Sequence, residues 1–393
     1  MYIYARNASS ASNPSEFLHI NFGQRSFLHR PGALNNSNNL QTNNLPEPTI
    51  KNGKEHFEAV IYTGNNSSSG QAITGLEFAP DFVWIKARTL ADNHSLQNTI
   101  TGVNSVLRSN FSNDESTTAA LSSFDSNGFT LNGNDPAWNG SQDYVAWCWK
   151  AGGTAVSNTD GTITSSVSAN TDAGFSIVSY TGNNTNNATV GHGLSSPPEW
   201  ILFKTRSIAD NWRVYHASVG ATKAFQLDNS SGSNGTLAAF QDDFLSDTVP
   251  NSTTITLGNT SNVNGTGTQI AYCWHSVEGF SKFGSYEGNN NSDGTFVYLG
   301  FKPSLIIFKN ADAAGSWVMY DTARNEHNPC DKRLTANTSN STGQSASMHV
   351  DFLSNGFKHR NSDQDLNTSH TFVYMAWAEN PFGGENQPPA TAR

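Results

Sequence analysis

The chain has 393 residues with a formal net charge of −10, and only 14% of its residues are charged. Nucleic-acid surfaces need Lys and Arg clusters that displace counterions, so an acidic chain without a basic cluster is not expected to bind nucleic acid. No apolar run approaches the roughly 20 residues of a membrane span, so membrane insertion is not expected.

The first 56 residues form a polar lead that is rich in asparagine. The lead has no basic segment followed by an apolar one, so a secretory signal is not expected. We interpret residues 1–56 as an extended N-terminal attachment arm.

After the lead, a similar pattern occurs three times. Each copy opens with Tyr-x-Gly-Asn-Asn, continues with a proline, an apolar run and a lysine, and closes with an aromatic-rich run. The openings lie at residues 62–66, 180–184 and 286–290. Repeats of about 100 residues are long enough to enclose a core of their own.

The repeats divide the rest of the chain. The predicted units are residues 57–153 (β-repeat 1), 154–174 (a Ser/Thr/Gly linker), 175–279 (β-repeat 2), 280–384 (β-repeat 3) and 385–393 (a C-terminal tail).

Within each repeat, short runs of Val, Ile, Phe, Tyr and Trp alternate with Gly, Asn and Asp, which is typical of strands and turns. The runs at 80–86, 198–204 and 303–309 are almost continuously apolar, as in a strand covered on both sides. The sequence therefore predicts an all-β chain of three tandem antiparallel β-sandwich or jelly-roll-like repeats. The lysines that close these runs are interpreted as solvent contacts at strand ends: Lys86, Lys204 and Lys309.

Three cysteines are too few for a disulfide scaffold. Cys148 and Cys273 occupy the same place in two repeats, and Ala378 is assigned to that place in the third. Exchange with alanine favours a small buried filler. A Cys148–Cys273 disulfide is the alternative, although equivalent strands of separate units are rarely adjacent. Cys330 has no counterpart.

The polar position that follows the central strand differs between the copies. It is Asn98, His216 or Asp321. No single acid–base mechanism uses all three residue types, so we interpret the position as the polar end of a strand, although one copy alone remains a possible active site. No catalytic residue is predicted.

Metal and cofactor sites are not expected, because the histidines lack ligand spacing and no phosphate-binding loop is present. The loops at 112–115 and 289–294 carry oxygen ligands suited to Ca²⁺, but neither matches the EF-hand pattern, and ordinary turns are the favoured interpretation. Trp138 lies in a loop outside the strand runs, and aromatic faces stack on sugar rings. It is the predicted surface contact for a glycan.

The repeats resemble a family of tailed-bacteriophage proteins described as tail-fibre or virion-surface proteins, which carry this β module in tandem. The resemblance rests on YTGNN, FAPDFVWIKAR, YVAWCWKAGG and ENPFGGENQPPATAR, and it covers nearly all of residues 57–393. In the lead, residues 21–27 and 44–50 resemble the end of a SPRY-like (concanavalin-like) domain, most of which is missing here.

The resemblance implies a non-enzymatic structural protein on the virion surface, assembled in the host cytoplasm. The leading expectation is a tail-fibre or adhesin component that binds host surface polysaccharide as a homotrimer, attached to other virion proteins of the tail or capsid. A capsid decoration protein or head fibre is the alternative, since no shaft-forming repeat is present. A polysaccharide depolymerase is a lesser alternative, because it needs paired carboxylates that the copies do not preserve.

Overall fold

The computed structural model describes residues 48–228, 238–239, 244–344 and 348–381. Regular structure in these ranges is almost entirely antiparallel β-sheet, so the predicted all-β sandwich class is confirmed. Helical segments among the described residues are limited to the 3-10 turns Gly53–Glu55 and Ala217–Val219 and the short α-helix Ser261–Asn264. No helix in the described ranges is long and apolar enough to cross a membrane. Most of the predicted arm, and the predicted tail, lie outside the described residues.

The strands follow the three copies along the chain. Copy 1 contains β1 (Phe57–Thr63), β2 (Gln71–Thr74), β3 (Phe82–Ala87), β4 (Ser95–Asn98), β5 (Leu121–Asp125), β6 (Gly128–Leu131) and β7 (Asp143–Trp149). The linker contains β8 (Val156–Asn158) and β9 (Ser165–Asn170). Copy 2 contains β10 (Phe175–Thr181), β11 (Ala188–Gly191), β12 (Trp200–Thr205), β13 (Arg213–His216), β14 (Lys223–Gln226), β15 (Ala238–Ala239), β16 (Thr254–Leu257) and β17 (Thr268–Trp274). Copy 3 contains β18 (Ser281–Glu287), β19 (Phe296–Tyr298), β20 (Phe301–Asn310), β21 (Val318–Asp321), β22 (Lys332–Thr335), β23 (Gly343–Gln344), β24 (Val350–Leu353), β25 (Gly356–His359) and β26 (Thr371–Pro381).

Each copy contributes a main sheet with the same strand order. The order is β1-β7-β3-β4 in copy 1, β10-β17-β12-β13 in copy 2 and β18-β26-β20-β21 in copy 3. The register aligns the copies residue by residue, and the residues that face each other in the two central strands are Trp149 with Phe82, Trp274 with Trp200, and Trp377 with Leu305. The segment interpreted as a linker extends the second main sheet, because β9 pairs with β10 and β8 with β9.

A smaller sheet covers the outer side of each main sheet. These small sheets are β2-β6-β5, β11-β16 and β19-β25-β24. Side chains alternate between the two faces of a strand. In β7, Trp147 and Trp149 belong to a core shared by all three copies, whereas Ala146 and Cys148 pack with Phe129 in the core of copy 1 alone. Each copy is thus a sandwich whose main sheet is covered on both faces.

Three equivalent tryptophans meet in the shared core. The ring centroids are 6.1 Å apart for Trp149 and Trp274, 5.4 Å for Trp149 and Trp377, and 6.1 Å for Trp274 and Trp377. All three pairs are edge-to-face, and no ring is more than 2% exposed. The copies therefore form one body around a pseudo-threefold axis, in which the equivalent main sheets face one another.

The Tyr-x-Gly-Asn-Asn opening anchors each loop to a buried asparagine. In copy 1 the Tyr62 hydroxyl donates to the Trp138 carbonyl at 2.9 Å, and the Asn65 and Asn66 amides donate to the side chain and carbonyl of Asn139. Asn66 has a φ of 51°, a left-handed conformation that asparagine tolerates. The buried asparagines that play this part in the three copies are Asn139, Asn264 and Asn367. The most conspicuous repeat motif is therefore structural.

In copy 3, a histidine occupies a position where the other copies have leucine. His359 follows Phe357 by two residues, as Leu131 follows Phe129 in copy 1. It is fully buried, its ring centroid lies 4.9 Å from that of Tyr286, and neither ring nitrogen has a hydrogen-bond partner among the described residues. Burial lowers the pKa of His359 to about 3.

We expect His359→Leu to stabilise the protein, and more so as the pH falls. A histidine with a depressed folded pKa binds its proton mainly in the unfolded state, so its cost increases as the pH falls below about 6.5 toward 3. The stability gap between variant and parent should grow by about 1.4 kcal/mol per pH unit in that window. Urea unfolding at pH 7, 6 and 5 measures it. A gap that stays constant over this range would contradict the neutral, unpartnered state of His359.

Candidate functional site

The polar position that varies between copies lies on the inner face of each main sheet. Asn98, His216 and Asp321 are equivalent in register, since they pair with the residues opposite the three core tryptophans. Their exposed fractions are 1%, 0% and 0%, so a substrate does not reach them. Burial lowers the pKa of His216 to about 4, which keeps the ring neutral near pH 7.

Each of these side chains contacts the next copy around the axis. Asn98 Nδ2 donates to the Tyr272 hydroxyl at 3.0 Å, and a His216 ring nitrogen lies 3.4 Å from the Tyr374 carbonyl. Asp321 completes the ring by accepting from Trp147 Nε1 at 3.0 Å. The position is a polar strand end, as interpreted from the sequence, and the structure adds its partner in the next copy. The residue type differs because Asn98, His216 and Asp321 each contact a different neighbour.

Asp321 is also half of a fully buried ion pair. Arg324 Nε lies 2.6 Å from Asp321 Oδ2, and neither side chain is exposed. The same guanidinium donates to the carbonyls of Lys332 and Met319 and lies 5.7 Å from the Trp147 ring centre. Both charges are thus desolvated and paired within copy 3, and both groups contact copy 1 through Trp147.

A second set of contacts also links the three copies in a cycle, but each copy now contacts the preceding copy instead of the next one. Trp212 Nε1 donates to the Arg108 carbonyl at 2.9 Å, and Trp317 Nε1 donates to the Gln226 carbonyl at 2.8 Å. His94 holds the equivalent position in copy 1, and its Nε2 lies 3.1 Å from the Thr335 carbonyl. Each copy therefore reaches back to the one before it, and sequence comparison alone gave no sign of these contacts.

The predicted solvent role of the three repeated lysines is wrong. Lys86, Lys204 and Lys309 are completely buried, and each Nζ donates to a main-chain carbonyl at 2.8 Å. Because side chains alternate along a strand, Lys86 lies on the same inner face as Trp84. The lysine side chain is therefore buried and does not reach solvent at the end of the strand. Burial lowers the pKa of each lysine to about 8, but an amine without access to solvent is not available to a substrate.

Trp138, the predicted surface contact, is buried with only 2% of its surface exposed. Its Nε1 donates to the Asn132 carbonyl at 2.6 Å. It directly precedes the anchoring Asn139, and the residues that precede the anchors in the other copies, Val263 and Leu366, are fully buried as well. Trp138 therefore closes the core of copy 1 and does not contact a ligand, which corrects the prediction.

The cysteines are free and buried, so the filler interpretation is confirmed and the Cys148–Cys273 disulfide is wrong. Burial raises the pKa of both thiols, which makes them poor nucleophiles. The register also corrects the third member of this position. It is Ala376, which precedes Trp377 as Cys148 precedes Trp149, rather than Ala378.

The loops considered for Ca²⁺ have other partners. Glu115 forms a bidentate pair with Arg206 at 2.9 and 2.7 Å, which joins copies 1 and 2. Asp293 Oδ1 lies 2.7 Å from Lys358 Nζ, and this pairing holds the pKa of Asp293 below its usual range. Among the described residues, no group of three or more His, Cys, Asp or Glu side chains is placed to hold a metal ion.

Two exposed aromatic side chains lie in a strand of copy 3 and were missed by sequence reasoning. Phe296 and Tyr298 are 46% and 56% exposed. They are two residues apart in β19 and therefore share its outer face. The alternation Phe-Val-Tyr is the signal in the sequence, but it does not reveal which face meets solvent.

These features define an all-β protein in which three homologous sandwiches share one core and keep their polar inner positions for contacts with each other. The chain belongs to the family described as a domain of unknown function (DUF7483), whose model matches residues 52–381. One family model thus spans all three copies, from just before β1 to the end of β26. No match is found among curated proteins, and none among solved structures.

Proposed function

We propose that this chain is a non-enzymatic structural protein of a tailed-phage virion surface that binds host surface glycans as part of a tail fibre or adhesin. The sequence resemblance supports the virion setting. One structural observation supports the absence of catalysis: the repeated polar position holds Asn98, His216 and Asp321, and all three are buried in contacts between copies.

The same arrangement favours a scaffold with variable outer surfaces. The inner faces of the main sheets are committed to the shared core, so sequence change there is limited by packing. The outer faces of the small sheets carry fewer packing contacts, so their residues can differ from copy to copy without loss of the fold. A receptor-binding protein needs this separation, because its frame must persist while its contact surface changes.

A capsid decoration protein is the second candidate, and the single compact body favours it over a long fibre. The described residues form one three-copy body around an axis, without a coiled coil or other elongated stalk. On either structure, the partners proposed are tail or major capsid proteins, and homotrimer formation remains a prediction.

Immunogold labelling of intact virions with an antibody against this chain tests the proposal. We expect gold on the particle surface, at tail fibres for the adhesin and over the head for the decoration protein. Absence of the chain from purified virions, with abundant protein in the lysate, would contradict a structural role. Release of reducing ends from bacterial capsule by the pure protein would instead establish a depolymerase.

A further inference from the structure

We propose that the outer face of the small sheet β19-β25-β24 in copy 3 is a glycan-binding platform, on which sugar rings stack against Phe296 and Tyr298. The inference rests on the proposed glycan-binding function and assigns it to one surface of one copy.

The aromatic pair provides the stacking surface. Phe296 and Tyr298 project from the same side of an edge strand at a spacing of about 6.6 Å, twice the rise of one residue. Gly356 is the cross-strand partner of Tyr298. Because glycine has no side chain, the sheet surface next to the tyrosine ring is open. The Lys282 ammonium lies 5.6 Å from the centre of that ring, and its Nζ donates to the Tyr298 carbonyl at 3.0 Å, which restrains the strand.

Charged groups that are already paired lie beside the aromatic rings. The row across the sheet runs from Phe296 to Lys358 to Asp351 by strand register. Lys358 Nζ contacts Asp293 at 2.7 Å, and Arg360 Nε contacts Asp351 at 2.6 Å. Asp293 is 78% exposed and Arg360 is 43% exposed, so both retain hydrogen-bonding capacity toward solvent.

The combination suits sugars in particular. The apolar C–H face of a pyranose packs on an aromatic ring, while its hydroxyls act as both donors and acceptors. Carboxylates that accept and cations that donate, fixed by their mutual pairing, satisfy both roles next to the rings. A protein partner of ordinary affinity would instead require a larger apolar surface than two side chains provide.

The equivalent surfaces of the other copies lack these features. Ile73 pairs with Phe129 in copy 1 as Val297 pairs with Phe357 in copy 3. The residues on either side of Ile73, Ala72 and Thr74, are therefore equivalent to the aromatic pair. In copy 2 the corresponding residues are Thr189 and Gly191. That face is covered by the linker, because Thr162 bonds to Thr189 and any side chain at residue 191 would collide with Asn158. Among the described small sheets, copy 3 alone presents aromatic rings.

The test uses the full chain and a double variant, Phe296→Ala/Tyr298→Thr, which installs the residues that copy 1 carries at these positions. Binding is measured on an array of bacterial lipopolysaccharides and capsular polysaccharides and is quantified by titration of the best binder. Val156→Ala, which trims another exposed apolar residue (66% exposed), is the matched control. Thermal unfolding of each protein confirms the fold, and Tyr298→Phe, which keeps the ring, gives a second variant.

We expect the double variant to lose at least about tenfold in affinity, whereas Val156→Ala and Tyr298→Phe bind within about twofold of the parent. If the parent binds a polysaccharide and the folded double variant binds it equally well, the platform is overturned and the glycan-binding function stands. If the parent binds no polysaccharide on the array, the proposed glycan-binding function fails, and the platform fails with it.

Discussion

Trp377→Ala is expected to lower the free energy of unfolding of the whole protein by about 3–5 kcal/mol, the usual cost of deleting a large buried aromatic side chain. The Trp377 ring packs edge-to-face against Trp149, Trp200 and Trp274, at centroid distances of 5.4, 5.7 and 6.1 Å. Its loss leaves a cavity bordered by all three copies. Because no single copy encloses this space, we expect the entire body to be destabilised rather than copy 3 alone.

Urea unfolding followed by far-UV circular dichroism measures this effect. Val156→Ala serves as the control, because that side chain is 66% exposed and its truncation should change stability by less than about 0.5 kcal/mol. A loss of under 1 kcal/mol for Trp377→Ala would mean that the copies do not depend on the tryptophan cluster.

Asp321→Ala is expected to cost a similar amount, about 3–5 kcal/mol, for a different reason. The substitution leaves the fully buried Arg324 guanidinium without its counter-ion and deprives Trp147 Nε1 of its acceptor. An uncompensated buried charge is much more costly than the loss of a neutral hydrogen bond.

The double variant Asp321→Asn/Arg324→Met distinguishes this explanation from simple loss of packing. It removes both charges and keeps an acceptor for Trp147. It also imitates copy 1, where Asn98 occupies the position and Thr101, not an arginine, follows three residues later. We expect the double variant to recover most of the stability that Asp321→Ala loses, as measured by chemical unfolding at pH 7. A double variant as unstable as Asp321→Ala would contradict the buried-charge explanation.

The strands and the sandwich class were predictable from the sequence because they depend on local periodicity. The run at 80–86 reads as a doubly covered strand, and β3 is buried along its full length. The role of Cys148 as a small filler followed from the comparison of copies and is confirmed. What a strand contacts beyond its own sheet is not encoded in this periodicity.

The errors arose where burial depends on distant parts of the chain. Lys86 appeared to end a strand at solvent because a lysine usually does so, yet the shared core covers it. Trp138 lies in a loop, and only its equivalence with Val263 and Leu366 identifies it as a core residue. The bond from Trp147 to Asp321 spans 174 positions, which no pattern within one repeat can reveal.

The division between inner and outer faces links the fold to the proposed function. Inner positions vary in residue type because each meets a different neighbour around the axis, as Asn98, His216 and Asp321 do. Outer positions vary without such partners, as Ala72 in copy 1 and Phe296 in copy 3 do. Duplication of one sandwich has in this way yielded a single body with three different outer surfaces.

Differential scanning calorimetry of the full chain and of Trp377→Ala tests most directly whether the three copies form one body. We predict a single cooperative unfolding transition in the parent and a single transition at lower temperature in the variant, since the tryptophan cluster belongs to all copies. Separate transitions for individual copies, or a variant in which only part of the unfolding heat moves to lower temperature, would contradict the shared core.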